Sequence, residues 1–325
     1  MKLLILKTDD PYLNLAIEEY LFLHTEEPIF MLWQNAPSVI IGRNQNAYAE
    51  VDHCFAKEHG IRIARRITGG GAVYHDSGNV NYSFISPAEK EGTLDFEAFS
   101  APILNALSSL GIHASLSGRN DIEVDGKKIS GNAQHRVGHR LLHHGTLLFA
   151  VDTATLEAVL RPNREKLKAR AIRSVSARVT DLRSYLPTDM TVEGLIDHLC
   201  RYVENAFHTQ RILPPTNEEI DALARRNASR EWIYPEKDLL SRYTKVKERR
   251  YPFGSVELLL EMKNDKIFEI AIKGDFFGIR PISELEDALR GARLCEVETR
   301  LSSFDIGAYV CGMQKKELTE LLCAE

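Results

Sequence analysis

Short apolar runs bounded by turn residues recur through the first half of the chain, with helical spacing between them. Strands are predicted at Lys2–Lys7, Ile29–Trp33, Ser38–Gly42, Ile61–Arg65, Asn81–Ile85, Asp121–Val124, Lys128–Gly131 and Gly145–Phe149. Apolar residues three and four apart predict helices over Asn14–His24, Phe96–Leu110, Thr153–Leu160 and Val192–Phe207, the last with Thr191 as N-cap. Strands outnumber helices without strict alternation, which predicts an α+β fold and not a doubly wound α/β one.

The pattern changes near residues 241–253, a polar, cationic stretch ending at Pro252 and read as a linker running into a new strand. Beyond it, Val256–Met262 and Lys266–Lys273 flank Asn264-Asp265 as a predicted hairpin, followed by helices at Ile282–Arg290 and Lys315–Leu322. A length of 325 residues accommodates this division into residues 1–244 and a smaller α+β unit, 245–325.

Composition is that of a globular protein, with 44% hydrophobic and 27% charged residues, which excludes collagen-like, low-complexity and wholly disordered classes. A net charge of −5 gives no sign of a nucleic-acid coat. That average hides a cationic segment. Residues 161–183 hold eight cations and two anions, a local +6 suited to a loop that meets phosphate. Five widely spaced cysteines without a Cys-x-x-Cys pair argue for a reducing, cytoplasmic setting over a disulfide framework or zinc module. No apolar run approaches the ~20 residues of a membrane span, and Lys7, Asp9 and Asp10 interrupt the apolar start before signal-peptide length.

Three segments carry candidate chemistry. In Arg65-Arg66-Ile67-Thr68-Gly69-Gly70-Gly71-Ala72-Val73-Tyr74-His75, three glycines after a strand let successive backbone N–H groups converge on an anion, with Arg66 adding charge. The run is neither a Walker loop nor a Gly-x-Gly-x-x-Gly dinucleotide turn. In Gly118–Gly131 the pair Asp125-Gly126 predicts a hairpin that makes Ile122–Val124 and Lys128–Ser130 neighbours. Asn120 and Asp121 then sit at one end as possible oxygen ligands for Mg²⁺. Lys127 and Lys128 point to opposite faces, and Lys128, beside Ile129, Ser130 and Gly131, is the one expected to line a buried site. The third segment, His135–Thr146, holds four imidazoles. His135, His139 and His143 would align on a helix as metal ligands, but Gly138 and the following strand weaken that geometry, and His144 before Gly145 is better placed in a pocket. No Gly-x-Ser-x-Gly elbow is present and no cysteine lies in these segments, so phosphate or carboxylate activation is favoured over a covalent acyl-enzyme.

Taken together, RRITGGGAVYHDSGN, GRNDIEVDGKKISGNA and HHGTLLF, in that order, resemble the lipoate-protein ligase family of the two-domain bacterial type. NLAIEE at 14–19, IGRNQN at 41–46, SVSARVTDL at 174–182 and the tail FGSVELLLEMKNDKI add to the likeness, which spans nearly the whole chain. The resemblance implies a biotin/lipoyl protein ligase catalytic fold, mixed sheets with flanking helices, plus a C-terminal accessory domain. It implies that lipoate and MgATP are joined into lipoyl-AMP with release of pyrophosphate. The acyl group then passes to a lysine of the lipoyl domains of 2-oxoacid dehydrogenase E2 subunits or of glycine-cleavage H protein. By motif matching, Arg66, Gly70, Gly71, Ala72, Val73, Tyr74, Asn120, Asp121 and Arg178 would hold the nucleotide, with Asp121 near Mg²⁺. Lys128 would be catalytic, contacting both lipoate carboxylate and nucleotide phosphate, and His75, Ser130, Gly131, His144 and Gly145 would line the acyl site. The SVRSR-like stretch of the family reads Ser174-Val175-Ser176-Ala177-Arg178 here, with one arginine missing. Rival readings are a lipoyl or octanoyl transferase without its own adenylation step, and a non-catalytic lipoate-binding sensor.

Overall fold

The computed structural model describes residues 1–87, 94–160, 179–235 and 243–324. The cationic segment from 161 to 178, including Arg178, lies outside the described residues, as does the stretch from 236 to 242.

The largest sheet runs in the order β11-β1-β2-β6-β10-β9-β8-β7. Its strands are β1 (Lys2–Ile5), β2 (Ile29–Trp33), β6 (Asn79–Pro87), β7 (Ser115–Ser117), β8 (Asp121–Val124), β9 (Lys127–Val137), β10 (Arg140–Leu148) and β11 (Gln210–Ile212). Pairing is parallel at β11/β1/β2 and antiparallel from β2 onwards, a mixed sheet as the family likeness implies. A second sheet, β4-β3-β5, is built from β3 (Ser38–Ile41), β4 (Arg62–Arg65) and β5 (Val73–His75).

The alternation of strand side chains splits the core between the two faces of the large sheet. On one face Leu3, Phe30, Leu32, Val80 and Tyr82 pack against Ile103 and Leu107 of the helix Phe96–Ser108 and Leu195 and Leu199 of Val192–Phe207. On the other, Leu4, Met31, Ile85 and Leu142 meet Leu15 and Ile17 of the helix Pro11–His24 and Ile40 and Ala64 of the second sheet. That helix starts where Asp10 accepts hydrogen bonds from the amides of Tyr12 (2.8 Å) and Leu13 (3.3 Å), with Pro11 in its first turn. The candidate site lies between this second face and the short sheet.

Both predicted hairpins form. Asp125 and Gly126 adopt φ of 51° and 72°, and Asn264 and Asp265 adopt 50° and 59°, as a tight two-residue turn requires. The histidine segment is a hairpin, in line with the weight given to Gly138 and the following strand: β9 turns into β10 at Gly138, which sets His135 opposite Leu142 and His143 opposite Gln134. One expectation changes. The stretch read as a linker contains β12 (Lys245–Tyr251), the outer strand of a sheet with β13 (Gly254–Lys263) and β14 (Lys266–Gly274). Its cations suit a strand paired on one side only, where most side chains face water. Tyr251, Leu258, Ile270, Leu285, Leu289 and Leu318 belong to a core drawn only from residues 251–322. All five cysteines are free, and among the described residues no helix is long and apolar enough to cross a membrane.

Candidate active site

A cavity opens between the second face of the large sheet and the glycine run that follows β4. The predicted residues Arg66, Gly70, Gly71, Ala72, Val73, His75, Asn120, Lys128, Gly131, His144 and Gly145 all line it. Leu15, Trp33, Ile40, Asn81, Asn132, Ala133 and Thr146, which the sequence did not single out, complete the wall. Tyr74 is set apart by strand alternation: Val73 and His75 face the cavity, while the Tyr74 ring packs with Val39, Ile41 and Ala47 on the far side of β5. Ser130 is likewise buried outside the lining, its hydroxyl 3.4 Å from Asn132 Nδ2.

Lys128 stands where the hairpin argument put it. Lys127 is exposed, whereas Lys128 Nζ lies 2.8 Å from Asp121 Oδ1, close over Gly131, with about a third of each side chain exposed. The Lys128 main chain is fixed separately, its carbonyl accepting from Thr180 N–H at 2.9 Å. Asn120 Nδ2 donates to the Asn132 carbonyl at 2.5 Å, leaving Oδ1 with only a long contact, 3.5 Å, from Arg119 Nε.

The two arginines before the glycines do different work. Arg65 spans the carbonyls of Gly42, Arg43 and Gln45 and those of Trp232 and Ile233, tying the loop after β3 to the short helix Arg230–Ile233. Arg66 donates to Ile40 O (2.9 Å), Thr68 Oγ1 (2.9 Å), Gly69 O (2.7 Å) and Gly71 O (2.8 Å). Burial lowers its pKa to about 10, with Glu18 pulling upward, so it remains a cation at neutral pH. Because carbonyl and amide of a trans peptide point opposite ways, turning the Gly71 carbonyl onto Arg66 directs the Ala72 N–H away from it. The guanidinium thus shapes the loop from within.

His75 has a defined tautomer. Asn14 Nδ2 is surrounded by three acceptors, Thr8 O, Gln34 O and Asn35 Oδ1, which fixes the Asn35 amide so that its Nδ2 donates to His75 Nδ1 at 3.0 Å. Burial, with Arg66 and His144 adding, pushes His75 down to about 3 and keeps the ring neutral. Among the described residues its Nε2–H has no partner, and neither has Asn81 Nδ2, a second buried donor in the lining. Unpaired buried donors in a cavity wall are what an incoming acceptor would satisfy.

His144 belongs to a buried chain that sequence reasoning missed. Its Nδ1 lies 2.9 Å from Glu18 Oε1 and its Nε2 2.8 Å from Thr68 Oγ1. Glu18, 1% exposed, also accepts from Ser83 Oγ at 2.5 Å, and Ser83 from Trp33 Nε1 at 3.1 Å. A buried acidic position on a helix face otherwise occupied by Leu15, Ile17 and Leu21 was the available signal.

The segment that leaves the C-terminal sheet after β14 reaches the same loop. The Phe276 carbonyl lies 3.4 Å from Gly70 N, Arg119 stacks 4.5 Å from the Phe277 ring centroid, and Arg119 donates to the Asp275 carbonyl at 3.2 Å. At Gly69 a Cβ would be driven into the Phe276 carbonyl, so only glycine fits.

Residues 10–204 match the lipoyl protein ligase A/B catalytic domain, and residues 241–322 the bacterial lipoate protein ligase C-terminus. The lipoate-protein ligase LplJ of Bacillus subtilis is 36% identical over 324 residues, covering 97% of each chain. Among solved structures, LipL1 of P. falciparum in complex with lipoate aligns over 99% of this chain and 98% of its own, with 26% identity and a TM-score of 0.81. A lipoate-protein ligase A bound with ATP aligns over 72% of this chain and 98% of its own, with 28% identity and a TM-score of 0.61. With a glycine loop, a half-buried lysine and a C-terminal sheet laid out in this order, the chain belongs to the lipoate-protein ligase family, in both its catalytic and its C-terminal parts.

Proposed function

We propose that the protein activates lipoate with ATP to lipoyl-AMP and pyrophosphate and then transfers the lipoyl group to a lysine of a lipoyl carrier domain. The observation that carries this is the position of Lys128. Its ammonium borders a cavity with an apolar wall (Leu15, Trp33, Ile40, Val73), which also contains the glycine loop. A lipoate acyl chain fits that wall, and its carboxylate would then meet Lys128 and the loop amides.

The reaction places two anions together. A carboxylate oxygen attacks the α-phosphorus, the bond from phosphorus to the bridging oxygen breaks, and pyrophosphate leaves with the electron pair. Lys128 neutralises both reactants and stabilises the charge on the phosphoryl oxygens, while the cavity holds them in reach. Gly71, Ala72 and Val73 would offer backbone amides to the phosphates, with Gly70 bordering them and Arg66 holding the loop in shape. His75 and Asn81 would give their free N–H groups to the acyl or carboxyl oxygens, and His144, Gly131 and Gly145 would border the acyl chain. In the second step a neutral lysine amine attacks the acyl carbon, the bond to the AMP oxygen breaks, and the amine loses a proton.

Mg²⁺ would neutralise the departing pyrophosphate when bound. The oxygen donors beside Lys128, Asp121 and the weakly held Asn120 Oδ1, suit it, and with no cluster of three His, Cys, Asp or Glu ligands among the described residues, phosphate oxygens and water would supply most of its shell. Acceptors would be lipoyl domains of E2 subunits or glycine-cleavage H protein, with octanoate as an alternative acid. Residues 1–244 would form the catalytic domain and 245–325 the accessory domain, in keeping with the separate core of 251–322. A cytoplasmic setting completes the proposal, consistent with five free thiols.

Lipoate-dependent exchange of labelled pyrophosphate into ATP tests the reading. Exchange is expected on adding lipoate and Mg²⁺; its absence, with transfer still seen from synthetic lipoyl-AMP, would replace the ligase by a transferase.

A further inference from the structure

A carboxylate that is 1% exposed is costly unless its partners use it. Glu18 is absent from the cavity lining, and its partners form a continuous line across the site. From the cavity wall, Trp33 Nε1 donates to Ser83 Oγ and Ser83 to Glu18. Glu18 holds His144 Nδ1, His144 Nε2 meets Thr68 Oγ1, and Thr68 accepts from Arg66 Nε. Arg66 ends the line on the carbonyls of Gly69 and Gly71.

The directions are consistent along its length. With Nδ1–H donated to Glu18, His144 Nε2 accepts the Thr68 hydroxyl proton, which leaves the Thr68 oxygen lone pairs for Arg66. Thr68 is fully buried, so its hydroxyl is no nucleophile; it is a link. Two walls that different substrates would touch, the Trp33 and His144 side and the glycine loop, are therefore joined by one buried carboxylate drawn from a third element, the helix Pro11–His24.

We propose that Glu18 is a positioning residue for the nucleotide: through His144 and Thr68 it fixes Arg66, and through Arg66 the glycine loop, although it touches neither loop nor ligand. The proposal rests on the ligase reading for the identity of the nucleotide. Replacing the carboxylate by an amide of the same shape removes its charge and sets an N–H₂ donor where Oε2 lies 3.1 Å from His144 Nδ1, so the imidazole loses its charged acceptor. The loss should then appear at the loop.

The test is binding of a non-hydrolysable ATP analogue, without lipoate, to the full chain and to Glu18→Gln, Thr68→Val and their double variant, with thermal melting followed in parallel. Each single variant is expected to weaken nucleotide binding about tenfold, the worth of one hydrogen bond to a charged group. The double variant should lose no more than the worse single one, because both cut the same line. In exchange assays KM for ATP should rise more than kcat falls. Wild-type nucleotide affinity in Glu18→Gln, or losses that multiply in the double variant, would overturn the proposal. If Glu18→Gln does not fold, His144→Gln takes its place with the same expectation, and unchanged affinity there overturns it equally. A wild-type chain that binds no nucleotide and shows no exchange would instead sink the ligase reading.

Discussion

Replacing Lys128 by Ala separates catalysis from folding in this site. Its ion pair with Asp121, both side chains about a third exposed, contributes no more than about 1 kcal/mol. The main chain is held independently by the Thr180 amide and the antiparallel pairing of β8 with β9. Stability should therefore fall by less than about 1 kcal/mol. Activation is different, because one cation would have to offset the approach of a carboxylate to a phosphate in a partly closed cavity. Losing a preorganised charge-stabilising donor typically costs ~3–4 kcal/mol in the transition state, or a factor of about 10² to 10³. Lys127→Ala, on the opposite and exposed face, should keep exchange within about twofold, as surface substitutions do. The assay is lipoate-dependent pyrophosphate exchange at saturating ATP, with thermal unfolding of each variant. Equal losses in the two variants, or Lys128→Ala retaining most of its exchange, would refute the facing argument.

Two glycines in the same wall should respond in opposite ways. A Cβ at Gly131 would come within 2.8 Å of Lys128 Nζ, the mobile end of a side chain, so Gly131→Ala should leave unfolding nearly unchanged and lower exchange about tenfold by displacing the ammonium. At Gly145 the Cβ would enter the buried Tyr82–Asn132 pair, and Gly145→Ala should cost ~1–3 kcal/mol, read as a lower denaturant midpoint. Acid should destabilise the fold through His75 and His143, which burial pushes down to about 3 each. The unfolded chain binds protons below about pH 6.5 while the native rings stay neutral, so stability falls as pH drops from about 6.5 towards 3, by up to about 1.4 kcal/mol per unit for each ring. Urea unfolding of His143→Gln should show about half the slope contributed by the pair; an unchanged slope would refute the assignment.

What was legible in the sequence was mostly local. Asp125-Gly126 and Asn264-Asp265 turn where two left-handed residues are needed, and Thr191 caps Val192–Phe207 by accepting from the Gly194 amide. The glycine loop and Lys128 were readable because both depend on their own neighbours. Tyr74 was drawn into the motif by adjacency, although period two sends its ring away from its neighbours' cavity. Glu18 and His144 lie 126 positions apart and meet only because the helix Pro11–His24 packs on β10, so no local rule could pair them. β12 reads as linker because its cations answer to water on its exposed side, and only pairing with β13 makes it a strand. Parallel pairing of β1 with β11, across more than two hundred residues, depends wholly on the assembled sheet.

The contact of Phe276 with Gly69 and Gly70 joins main chain to main chain. Side chains between two elements act as springs, since rotamers shift to absorb small displacements. At Gly69 no such cushion exists, since a Cβ there would not fit against the Phe276 carbonyl. A shift of the C-terminal sheet by a fraction of an ångström must reach the glycine loop undamped, or break the contact outright. The seam therefore works as a gauge: a fluorophore placed on the exposed strand β12 would register the geometry of a loop that meets the same sheet only through the segment after β14.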